Sequence, residues 1–143
     1  MTSKLFLALS LIVLGTLPLL GHHPFSAEYD WKKPVTVTGT VTKFDWSNPH
    51  AYLYVDAKGT DGRAQNWTFE LGGINALSRA GWGKTTLKTG DSITVEAWQS
   101  KSNSNAGNVK SITTSDGREF SGASSIVDPG TIAPLVTKGY EKK

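Results

Sequence analysis

Three histidines carry most of the metal-binding capacity of this sequence, and they fall in two places. His22 and His23 stand together in "GHHPFSAEYDW" (21–31), and His50 closes "SNPH" (47–50). Neutral imidazole is the commonest metal ligand in proteins. If a mature chain begins at His22, its α-amino group and the neighbouring imidazole can close a chelate ring on a divalent ion, an arrangement that copper favours. His50 would then complete a set of one amine and two imidazoles. A cut one residue earlier would give Gly21-His22-His23, an amine, two amides and a third-position imidazole, which also suits copper(II). His22, His23 and His50 are therefore the candidate metal ligands, with copper as the candidate cofactor. The plainer reading is a solvated histidine pair and a loop histidine beside Pro49.

A new chain start at His22 is what the preceding residues suggest. "LFLALSLIVLGTLPLL" (5–20) carries no charge and follows a short basic start ending at Lys4. It is short for a membrane span of about 20 residues, and the small residues Gly15 and Gly21 offer places for peptidase cleavage. Residues 1–21 are thus expected to be a signal peptide, with an uncleaved anchor as the alternative. The domain is expected to be periplasmic or secreted, with no stable membrane span after cleavage. Without cysteine there is no disulfide, thiolate ligand or thiol nucleophile. The net charge of +3 is scattered along the chain, which argues against a nucleic-acid partner.

The elements that must position the histidines are strands. "VTVTGTVTKF" (35–44) alternates β-branched residues with threonine, and Gly39 sits where the strand must bend. "HAYLYVDA" (50–57) puts Ala51, Leu53, Val55 and Ala57 on the core face and His50, Tyr52, Tyr54 and Asp56 on the other. After an Asp61-Gly62 turn, "QNWTFEL" (65–71) sends Trp67, Phe69 and Leu71 inward and Asn66, Thr68 and Glu70 outward, completing a hairpin. One short helix is expected in "GINALSRAGW" (73–82). A fourth strand in 87–98 points Ile93, Val95 and Ala97 inward and Thr94, Glu96 and Trp98 outward. A polar loop over 99–108, a fifth strand "VKSITT" (109–114) and a short "REFSG" (118–122) follow. Three strands, a helix and two strands is the order of an oligonucleotide/oligosaccharide-binding (OB) barrel. The expectation is one all-β, five-stranded OB-like domain over 22–122 with an irregular tail from 123, and an open sandwich as the alternative.

The acids Glu28, Asp30, Asp45 and Glu70 are possible partners that would hold an imidazole in one tautomer, although solvated roles are commoner for such residues. Five tryptophans are many for so small a domain. Trp67 is expected in the core and Trp82 over the barrel end. Trp46, Tyr52, Tyr54 and Trp98 remain as an aromatic platform that could stack a small molecule or a partner protein, the metal-free alternative. No nucleophile elbow, phosphate loop or dinucleotide pattern is present, so an enzyme is the less favoured class; a redox copper enzyme stays open.

The stretches "HHPFSAEYD", "KPVTVTGTVTKFDWSNPHAYLYVD", "NWTFELGGINALSRAGW" and "LKTGDSITVEAW" together resemble a family of small exported bacterial proteins of unknown function. Its members read His-His-Ser-Phe after the signal and Asn-Pro-His before strand two; here Pro24 stands in place of the serine. The resemblance implies export and an OB-like fold. It implies no mechanism.

Overall fold

The computed structural model describes residues 25–124. His22, His23, the expected signal peptide and the tail beyond Ser124 lie outside the described residues. The elements are a helical turn α1 (Phe25–Glu28), strands β1 (Tyr29–Asp45), β2 (Tyr52–Lys58) and β3 (Ala64–Glu70), helix α2 (Ile74–Arg79), and strands β4 (Ser92–Ser100), β5 (Ala106–Thr114) and β6 (Glu119–Ser121).

The sheet runs β3-β2-β1-β4-β5-β6, and β3 also pairs with β5, so five strands close into a ring. Neighbours are antiparallel except β3 and β5, which run parallel at Thr68↔Ala106 and Glu70↔Asn108. The protein is an all-β, OB-like barrel with one short helix between β3 and β4, and ring closure rules out the open sandwich.

β1 makes closure possible by serving two neighbours. Pro34–Thr40 pair with β4 and Gly39–Asp45 pair with β2, with a bulge between Val41 and Lys43. At Gly39, where the two pairings overlap, β2 lies so close that a Cβ would meet the Asp56 carbonyl oxygen and sit 2.6 Å from Val55 Cγ1. Glycine is the residue that allows this coil in a small barrel.

The inward sets expected for β2, β3 and β4 form the core. Val41, Leu53, Val55, Phe69, Leu71, Leu77, Val95, Val109 and Ile112 are fully buried. Trp67 stacks on Phe69 with ring centroids 5.5 Å apart. Leu77 of α2 plugs the barrel, and Trp82 closes over it, donating its indole N–H to the Ser121 carbonyl at 2.8 Å.

Two expectations need correction. Half of the polar loop expected over 99–108 is strand: β4 continues to Ser100 and β5 begins at Ala106. The reason is Gly107, which pairs with Gln99 and Phe69 and leaves room for Trp98 O and the Phe69 ring, 3.0 and 3.4 Å from where a Cβ would stand. Trp98 leaves β4 outward, opposite Pro34 and apart from the barrel core, but it is buried where an open platform residue was expected. The burial alternation of β4 breaks after Ala97, where the Phe25 ring covers Trp98 edge-on at 5.7 Å.

A candidate site in the cleft beside the β2–β3 hairpin

His50 lies just before β2, and the backbone fixes where it points. The hairpin pairing continues past its last registered pair, Tyr52↔Glu70, through Ala51 N–H to Gly72 O at 3.2 Å and Leu71 N–H to Ala51 O at 2.9 Å. His50 stands two residues before Tyr52, which makes it a diagonal neighbour of Glu70 on one face of the hairpin. Their side chains meet: His50 Nδ1 is 2.7 Å from Glu70 Oε1. The Ser47 hydroxyl donates to the His50 carbonyl at 3.1 Å, and Asn48 Oδ1 accepts the Ile74 N–H at 3.2 Å, tying the loop to α2. Gly73 lets this loop approach, since a Cβ there would sit 2.8 Å from Pro49 O.

The second carboxylate oxygen of Glu70 is also engaged. Tyr29, at the start of β1, donates its hydroxyl to Oε2 at 2.9 Å. Burial first, then the hydrogen bond and charge of Glu70, push the Tyr29 phenol far above its ordinary pKa, so it remains a proton donor at any physiological pH. Tyr52 is shifted in the same direction by burial and then by Glu70 and Glu28. The chain is thus Tyr29–Glu70–His50, in which the carboxylate accepts from both sides. A carboxylate on Nδ1 fixes the imidazole tautomer and directs Nε2 to any metal, an arrangement usual behind histidine ligands.

These groups line one cleft of about 910 Å³, whose walls also include Phe25, Tyr52, the Gly72-Gly73 pair and Asn108. Of the acids considered from the sequence, Glu70 and Glu28 line it. Asp45 instead pairs with Lys43 at 3.3 Å, and Asp30 accepts the Lys32 N–H at 3.0 Å. Among the described residues no group of three histidine or acidic side chains is arranged to hold a metal ion by itself.

A model of a family of unknown function, DUF6152, matches residues 11–110. The chain belongs to this family. The match spans β1 to β4, most of β5 and the histidine-bearing stretches of this family member, so cleft and family region coincide over all but its C-terminal wall. Comparisons with curated proteins and with solved structures returned no match.

The four aromatics expected to form a platform are not brought together. Tyr52 alone lines the cleft. Trp98 is covered by Phe25, Trp46 packs edge-on against Phe44 at 5.7 Å, and Tyr54 lies under the Lys43 ammonium at 5.3 Å. Two residues escaped the sequence reading. Tyr29 reaches the site from 41 residues away, and no local pattern marks such a contact. Asn108 sits in a small, polar run that reads as loop, although its place two residues before Lys110, next to a strand-forming stretch, was a usable signal.

Proposed function

We propose that the mature protein is an exported, periplasmic or secreted binding protein that holds a divalent metal, copper being the best fit, through His22, His23 and His50. The observation that carries this reading is the 2.7 Å contact between His50 Nδ1 and Glu70 Oε1, buttressed by Tyr29. An imidazole held by a carboxylate is fixed in one tautomer and orientation, which favours a metal bond at Nε2.

Chain length supports the same reading. Phe25 lines the cleft that His50 lines, and His22 is three residues upstream, so an extended chain spans no more than about 11 Å between them. The α-amino group created by cleavage before His22 would supply a nitrogen that no side chain supplies. Copper prefers such nitrogen sets.

Titration of the mature protein with copper(II) tests the proposal. A one-to-one complex that is lost in His50→Ala supports it. Affinity unchanged by that substitution reduces the histidine pair to an incidental chain-end site.

A further inference from the structure

The far wall of the cleft carries a different chemistry from the imidazole end. Asn108 is 4 % exposed, lines the cleft, and has no hydrogen-bond partner for its Oδ1 among the described residues. It is fixed between Glu70 of β3 and Trp98 of β4, its registered neighbours. A buried acceptor without a donor lowers stability, whereas an apolar side chain of the same shape would not. The terminal torsion of asparagine is soft, so the amide can turn its oxygen toward a donor that enters the cleft.

Charge narrows what that donor is. The described lining contains two carboxylates, Glu28 and Glu70, and neither lysine nor arginine. Both phenols of the lining, Tyr29 and Tyr52, hold their protons more tightly than usual, by burial and then by those carboxylates, as expected where the local field is negative. The remaining wall offers the faces of Phe25 and Tyr52, which attract cations and cover apolar groups. A volume of about 910 Å³ is within the range of small-molecule sites.

We propose that this cleft binds a small organic cation, a primary ammonium on an apolar body, which donates one N–H to Asn108 Oδ1, faces Glu70 and Glu28 with its charge, and lays its body against Phe25 and Tyr52. The demand is for hydrogen-bond donors, where the metal reading demands lone pairs. The two proposals stand or fall separately.

The test is calorimetric titration of the chain from His22 to Lys143 with phenethylammonium, in EDTA throughout so that no metal contributes. The neutral isostere 2-phenylethanol and the anion 3-phenylpropionate serve as controls. Phenethylammonium is expected to saturate with a Kd of about 1 mM or tighter, and to bind at least about tenfold more tightly than either control. Asn108→Leu should weaken it by about tenfold or more while raising the Tm of the unliganded protein, because the unpaired acceptor is gone. Asn108→Asp, which keeps an acceptor and adds charge, should bind at least as tightly as the parent and secures the test if the leucine variant does not fold. Absence of saturable binding, equal affinity for the amine and the alcohol, or undiminished binding by Asn108→Leu would each overturn the proposal. A lowered Tm in a folded Asn108→Leu would do so too, by showing that the acceptor is already satisfied.

Discussion

Glu70 accepts the Tyr29 hydroxyl at 2.9 Å across 41 residues of chain, while its other oxygen holds His50 Nδ1. The carboxylate therefore couples Tyr29, at the start of β1, to His50 at the start of the β2–β3 hairpin. Glu70→Gln, which keeps the shape but loses the charge, is expected to lower copper affinity by about 10- to 100-fold. Tyr29→Phe should lower it less and reduce stability by about 1 kcal/mol. Competition titrations and urea unfolding measure the two effects; equal copper affinity in Glu70→Gln and parent would detach the carboxylate from the metal.

The position of the α-amino group is the second test. An extra methionine before His22 leaves every side chain in place and moves the amine out of its chelate ring. Copper affinity is expected to fall by about tenfold or more, each factor of ten being about 1.4 kcal/mol. Intact-mass measurement of the exported protein should show a chain beginning at His22.

Alkaline pH offers a third. The Tyr29 phenol is raised well above 10.0 in the folded protein, whereas an unfolded tyrosine ionises near 10. The resulting stability is fully present below about pH 10. Above it the unfolded chain loses a proton that the folded one keeps, and stability falls with a limiting slope of about 1.4 kcal/mol per pH unit. Urea midpoints between about pH 9 and 11 should drop steeply for the parent and less steeply for Tyr29→Phe. Tyr52, raised in the same direction, adds a smaller fall to both.

Packing predictions rest on the barrel. Leu53 is fully buried, so Leu53→Asp places an unpaired charge in the core and should leave the chain unfolded by circular dichroism. Trp67→Ala should cost about 3 to 5 kcal/mol, since the indole is buried and stacked on Phe69. Calorimetric unfolding measures it.

Gly39→Ala tests the coil of β1. A Cβ there collides with the Asp56 backbone, which cannot move without breaking the β1–β2 pairing. A loss of about 1 to 3 kcal/mol is expected, the range of other overpacked positions; unchanged thermal unfolding would mean that the two strands part more easily than their register implies.

The barrel was largely legible because its signals are local. Alternation in 50–57 and 65–71, joined by the Asp61-Gly62 turn, places His50 and Glu70 on one hairpin face, and their contact follows from strand register. Trp98 was read as open because alternation says only which way a side chain leaves a strand; what covers it is settled by Phe25, 73 residues away. Tyr29 and Asn108 were missed for a related reason. Their importance arises where non-consecutive strands meet, at the N-terminal half of β1 and at the parallel β3–β5 seam, and neither seam leaves a periodic trace in the chain.

Phe25 and Ser124, the two ends of the described segment, both line the cleft. The first and last described residues are thus walls of one pocket, so spectroscopic probes placed at Phe25 and at Ser124 would both report on what occupies the cleft.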